Sequence, residues 1–308
     1  MTNYFSNGKF LLTGEYFVLQ GALSLALPLK LGQSLNVDFN AEDENLIVWN
    51  ASIPSGDWFN ALLDNDLNVV LTTDNDKAQM LKNIFSAIKK LNPAALANKG
   101  KYTFGTHLDF DKEWGLGSSS TLIANLSRWA NVNPYDLLAL TFGGSGFDIA
   151  CATATKPILY RLVDGKPIAE EIDFNPSFTN KLFFVYQGHK QSSRAEVKAF
   201  KNRLLQQDIT DDIDTISELT LSILKTNSFT DFCSLINLHE SIVGESIGRE
   251  PIKTSFPDFD GSLKSLGAWG GDFFLAASNL TATETRLYFE SKGLTTIFEY
   301  DNLVRNDK

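Results

Sequence analysis

The chain has 308 residues, 43% of them apolar and 21% charged, a length at which two domains are the expectation. A net charge of −10 and a pI near 4.8 argue against a nucleic-acid binder and against a polybasic membrane contact, while leaving an anionic small ligand open. Cys151 and Cys233 are too few for a disulfide framework, the N-terminus lacks a signal-peptide pattern, and no apolar run nears the ~20 residues of a membrane span, so a cytoplasmic protein with reduced thiols is expected.

Gly8 to Thr13, Gln33 to Asn40 and Leu46 to Ala51 read as strands. Asp74 reads as an N-cap. Leu81, Ile84, Phe85, Ile88 and Leu91 follow at three- and four-residue spacing, one buried face of a helix. Tyr102, Phe104, Thr106, Leu108 and Phe110 alternate as a half-buried strand. A glycine-serine turn, Gly115 to Ser120, comes next. Leu122, Ile123, Leu126 and Trp129 then mark a helix, and Pro134 suits the first turn of another. Asp164-Gly165-Lys166-Pro167 is a turn, and the stretch from Asp173 to Asn180, with Pro176 inside it, is the expected domain boundary. That gives domains of 1–175 and 176–308. In the second, Leu182 to Tyr186 reads as a strand. Helices at roughly 192–207, 211–226 and 229–247 follow. Asp272 to Ala277 and Leu294 to Tyr300 read as strands around a helix near 281–291.

Strand, glycine-rich turn and helix form a device for holding phosphate. Glycine lets the backbone approach closely, and the helix start offers unpaired N–H groups at the positive end of its dipole. Gly115-Leu116-Gly117-Ser118-Ser119-Ser120 has that setting. It is not a P-loop, since no lysine precedes the serines. Alone, it reads equally well as a tight turn with a serine N-cap.

Two further segments accompany it. Gly8-Lys9-Phe10-Leu11-Leu12-Thr13-Gly14-Glu15-Tyr16-Phe17-Val18-Leu19-Gln20-Gly21 lies near the start, and Lys264-Ser265-Leu266-Gly267-Ala268-Trp269-Gly270-Gly271-Asp272 near the end. In this order the three resemble the signature regions of the GHMP kinase superfamily. Gly143-Gly144-Ser145-Gly146-Phe147-Asp148 resembles the catalytic-aspartate loop of its mevalonate-type members, and Gly188 to Arg194 a substrate-side segment. Gly14-Glu15-Tyr16 and Gly270-Gly271-Asp272 look more like phosphomevalonate kinase than mevalonate kinase. The resemblance implies an α+β protein with an N-terminal domain like ribosomal protein S5 domain 2 and a C-terminal ferredoxin-like domain. It further implies binding of ATP and Mg²⁺ and transfer of the γ-phosphoryl group to a small anionic metabolite, phosphomevalonate or mevalonate.

By that resemblance, Lys9 carries charge toward the transferring phosphoryl group and Asp148 is the catalytic base. Gly115, Leu116, Gly117, Ser118, Ser119 and Ser120 bind ATP, and Ser119 is a Mg²⁺ ligand. Glu15, Ser145, Gly146, Ser192, Ser193, Arg194, Gly267, Ala268, Gly270 and Gly271 line the acceptor site. Each has a structural alternative: a solvated lysine, a helix cap, a salt bridge for Glu15, plain turns. His107, His189 and His239 have no metal-ligand spacing. The expected partner is the small anionic substrate, with a homodimer left open.

Three departures from the family pattern stand out. Asn7 replaces a proline before Gly-Lys, Trp114 precedes the phosphate turn, and Trp269 replaces a glycine, where a positive φ would strain it. The stretch from Ser119 to Asp148 is also shorter than in mevalonate kinases and lacks their glutamate metal ligand. A diphosphomevalonate decarboxylase of the same superfamily and a non-catalytic member that binds a metabolite or partner are therefore the rival expectations.

Overall fold

The computed structural model describes residues 2–191, 193–204, 209–267 and 269–307. The elements in chain order are strands β1 (Thr2–Leu11), β2 (Ser24–Asn40), β3 (Leu46–Ile53), β4 (Gly56–Asp64) and β5 (Val69–Thr72), then helix α1 (Asn75–Leu91) and strand β6 (Lys101–Leu108). Helices α2 (Ser118–Ala130), α3 (Pro134–Thr141) and α4 (Phe147–Thr153) precede strands β7 (Ile158–Val163), β8 (Lys166–Glu171) and β9 (Leu182–Tyr186). The remainder is α5 (Ser193–Leu204), α6 (Thr210–Lys225), α7 (Phe229–Ile247), β10 (Ser262–Leu266), β11 (Phe273–Ala277), α8 (Ala282–Ser291), β12 (Ile297–Glu299) and α9 (Tyr300–Leu303). The fold is α+β.

The chain forms two compact units, and neither is one continuous stretch. The first comprises residues 1–8, 31–112 and 116–153, and the second 9–30, 113–115 and 154–308. Strands β1 and β2 each give residues to both units.

In the first unit the strand order is β5-β4-β3-β6-β2. β6 runs parallel to β3 and antiparallel to β2. Side chains in β6 alternate between faces, as the pleat dictates, and the inward face carries Tyr102 and Phe104 into the core. Phe104 is enclosed by rings, with centroids 5.6 Å from Trp49, 5.1 Å from Phe85 and 4.8 Å from Trp129. Helix α1 brings Leu81, Ile84, Phe85 and Ile88 onto this core. It starts at Asp74, whose carboxylate accepts from the Lys77 amide at 3.0 Å. Asn133 caps α3 in the same way, with Pro134 at the first helical position.

In the second unit β9, β10, β11 and β12 form a sheet in the order β10-β11-β9-β12. Every residue of β10 and β11 is buried. Phe183, Val185, Phe274 and Phe289 pack together in one cluster. A second cluster joins Phe17, Phe200, Ile216, Val243 and Trp269. The Asp164-Gly165 turn closes a β7–β8 hairpin whose Val163 faces Lys166. Both turn residues have positive φ, 50° and 72°, as a two-residue hairpin with the right twist needs.

The expected strand at Gln33–Asn40 is the second part of the longer β2, and the strand expected at Leu294–Tyr300 is shortened to β12, because Tyr300 opens α9. The strand expected through Phe110 ends at Leu108. Both cysteines are free. No helix among the described residues is long and apolar enough to cross a membrane.

Truncating Phe104 empties the centre of the first core. Phe104→Ala is expected to cost about 3–5 kcal/mol, read as a fall in the urea unfolding midpoint with an unchanged slope.

Candidate active site

The glycine-serine turn follows a short 3₁₀ turn at Lys112–Trp114. Gly115 and Gly117 have φ of 70° and 96°, and α2 begins at Ser118. Gly117 occupies the N-cap position and offers no side chain to the first amides of α2. Those amides therefore form a donor-rich helix start suited to an anion. The three serines differ. Ser120 is buried and its hydroxyl donates to the Gly117 carbonyl at 2.8 Å, tightening the turn, whereas Ser118 is half-buried and Ser119 exposed. The α2 start is held within the first unit by a buried polar chain. The Thr121 hydroxyl donates to Gln33 Oε1 at 2.6 Å, Gln33 Nε2 donates to Thr106 at 2.6 Å, and Asn125 Nδ2 donates to the Gln33 carbonyl at 2.9 Å.

Gly115 itself belongs to the second unit, where distant motifs meet around it. Lys9 Nζ donates to its carbonyl at 3.3 Å. On its other side lies the Asp272 carboxylate: a Cβ at position 115 would lie 2.5 Å from Asp272 Cγ and 2.6 Å from each Oδ. Glycine is thus required there by space as well as by φ. Trp114 anchors the turn from outside, its ring 5.4 Å from Phe298 and 6.2 Å from Phe273, centroid to centroid. The Glu113 carbonyl accepts from the Tyr186 hydroxyl at 3.0 Å. The tryptophan that departs from the family pattern holds residues 113–115 against the sheet within the second unit.

Gly267, Gly270 and Gly271 sit between β10 and β11, Gly267 and Gly270 with positive φ. The Gly270 and Gly271 carbonyls accept from His189 Nε2 and Gln187 Nε2, each at 2.6 Å. The substrate-side segment and the third motif are therefore zipped together. Ser193 opens α5, with Arg194 in its first turn, while Ser192 and Ala268 lie outside the described residues. Trp269 is not among the residues with positive φ, so the strain that its position raised does not arise. It is buried, with its amide donating to the Tyr16 hydroxyl at 3.1 Å and its indole to the Glu250 carbonyl at 3.0 Å.

Asp148, Ser145 and Gly146 belong to the first unit. Asp148 lies half-buried in the first turn of α4, and its Oδ1 accepts from the Ile149 amide at 3.1 Å. The helix is tied to β1 by Asn7, whose Nδ2 donates to the Cys151 carbonyl at 3.3 Å. A proline at position 7 could not make that bond. Tyr135 from α3 shares these surroundings; burial, then the nearby Cys151 and Asp148, push its hydroxyl pKa up.

Glu15 is paired inside the second unit. Its Oε1 accepts from Lys264 Nζ, and both residues are buried. His239 and Glu240 complete the cluster. Glu240 accepts from the Ile252 amide at 3.1 Å and from the Ser265 amide at 3.0 Å and hydroxyl at 2.9 Å. His239 Nε2 accepts from the Gly14 amide at 2.9 Å, so that nitrogen carries no proton. Its 3.7 Å approach to Glu15 Oε2 is then not an ion pair. Burial, then Lys264, keep the ring neutral, its pKa well below the ordinary value. Burial raises Glu15 to about 7 against the pull of Lys264, and raises Glu240 in the same direction. Lys264 lies in the third motif, but only the fold shows that its partner is the glutamate of the first. Among the described residues no group of three or more His, Cys, Asp or Glu side chains could hold a metal ion.

The fold has counterparts among solved structures. The fold is that of the GHMP kinases. Streptococcus pneumoniae phosphomevalonate kinase, solved with phosphomevalonate and AMPPNP, superposes with a TM-score of 0.71 at 16% identity, over 97% of this chain and 99% of that one. L. major mevalonate kinase, solved with R-mevalonate, gives 0.69 at 16% identity over 100% and 97%. Lactococcus lactis galactokinase, solved with galactose, gives 0.64 at 12% identity over 99% and 93%. No protein-family model and no curated protein matches the sequence.

Removing one partner of a buried pair strands the other. Lys264→Met is expected to cost about 3–5 kcal/mol, and the double variant Glu15→Gln with Lys264→Met much less. Because the folded Glu15 pKa is raised from 4.5 to about 7, its contribution to stability is fully present below 4.5 and is lost as pH rises through about 7. Urea unfolding from about pH 5 to about pH 8 should show a shallower pH-dependent loss in the double variant than in the wild type.

Proposed function

We propose that the chain is an ATP-dependent small-molecule kinase. The observation that carries this proposal is the convergence at Gly115: a lysine from the first motif and an aspartate from the third meet the first glycine of a helix-start turn suited to phosphate. The GHMP fold supports it.

In this reading the amides of Leu116 to Ser120 hold the ATP phosphates. The exposed Ser119 hydroxyl would help to hold Mg²⁺, and the ion would neutralise charge on the transferring group. Lys9 contributes positive charge beside the turn. Asp148 takes the proton from the acceptor oxygen as that oxygen bonds to the γ-phosphorus, and the bond from that phosphorus to the bridging oxygen breaks to release ADP. Ser145, Gly146 and the Gly188–Arg194 and Gly267–Gly271 segments would face the acceptor. An anionic acceptor suits the lysine and arginine residues in these segments. Phosphomevalonate and mevalonate, bound in two of the similar structures, are the favoured candidates.

The test is ADP release from ATP and Mg²⁺ across mevalonate, phosphomevalonate, diphosphomevalonate, homoserine and galactose, with CO₂ followed in parallel. Acceptor-dependent turnover without CO₂ is expected. Lys9→Ala and Asp148→Asn should each lower it by about 100-fold or more. Turnover with no acceptor, or CO₂ release with diphosphomevalonate, would overturn the kinase assignment.

A further inference from the structure

Asp272 is a buried carboxylate with no part in the chemistry above. It is 6% exposed and has a φ of 54°, a left-handed backbone conformation that few non-glycine residues adopt. Its main chain is locked on both sides, the amide donating to the His189 carbonyl at 2.9 Å and the carbonyl accepting from the Gln187 amide at 2.8 Å. Its carboxylate accepts from the Gln191 amide at 3.2 Å and fills the space beside Gly115. One residue, immediately before β11, therefore meets both Gly115 and the segment leading into α5.

We propose that Asp272 is a positioning residue that sets Gly115, at the head of the phosphate turn, against the Gln187–Gln191 segment by its shape and its hydrogen bond rather than by its charge. A carboxylate repels phosphate, a repulsion that the Lys9 cation at the same glycine offsets in part. The geometry supplies the compensating use. Asp has two side-chain torsions and a branched end that abuts the Gly115 backbone, and any side chain at 115 would collide with it. A shorter residue at 272 leaves the turn unsupported. A longer one pushes it away. Displacements on the scale of one ångström at such a site are enough to cost about 100-fold in rate.

This inference rests on the reading of the Gly115–Ser120 turn as a phosphate site, and equilibrium binding of MgATP separates the two. Calorimetry needs no known acceptor, and thermal midpoints are recorded beside it. Asp272→Asn keeps the shape and an oxygen for the Gln191 amide, and should bind MgATP within about threefold of wild type. Asp272→Ala and Asp272→Glu should each weaken binding by about tenfold or more, with the asparagine variant restoring what alanine loses. Wild-type binding with an unaffected Asp272→Ala variant overturns the positioning role alone. So does an asparagine variant that binds distinctly tighter than wild type, or as poorly as alanine, since charge would then dominate. Should alanine prevent folding, the asparagine and glutamate variants decide by the same criteria. No wild-type binding overturns the phosphate reading, and this inference with it.

Discussion

At position 115 there is room for a hydrogen atom and nothing larger. The Asp272 carboxylate occupies the space a side chain would need, Lys9 bonds the carbonyl, and Trp114 is wedged among Tyr186, Phe273 and Phe298 immediately before it. Close packing gives such a point no slack. Gly115 and Gly117 both take the positive φ values that lead the chain into α2.

The second unit secures this junction with a buried electrostatic cluster. Strand β10 carries Lys264 and Ser265 into a fully buried setting. They are tolerable there because Glu15 and Glu240 meet them. Buried charge is expensive unless paired and hydrogen-bonded. The same pairing joins the first motif to the third through Glu15 and Lys264, and Gly14 donates to His239 beside it. The segments that bring Lys9 and Asp272 to Gly115 are thus tied a second time, away from solvent.

Much of this was legible in the sequence where a local rule governs. The α1 stripe and the Asp74 cap, the alternation through Phe104, and the glycine-rich turns all follow from spacing or from backbone freedom, and each is where it was expected. What was not legible depends on partners far apart in the chain. β10 does not read as a strand because Ser262, Lys264 and Ser265 look solvent-facing until Glu15 and Glu240 are placed beside them. Asp272 reads as the first residue of a strand until Gly115 is seen against it. Asn7 looks like a lapse from a family pattern and proves to hold α4 through the Cys151 carbonyl. Trp269, suspected of strain, fills a core with Phe17 and Phe200. The turn between β7 and β8 is legible from Asp164-Gly165, but the hairpin is not, because β8 is mostly exposed and polar.

The central claim is that the turn from Gly115 to Ser120 grips phosphate through backbone amides. Hydrogen–deuterium exchange with and without MgATP tests it most directly, because it reads those amides themselves. Slowed exchange at Leu116 through Ser120 on adding MgATP is the expected result. Nucleotide that protects other segments and leaves these amides unchanged would contradict the claim, and the turn would then be only the start of a helix.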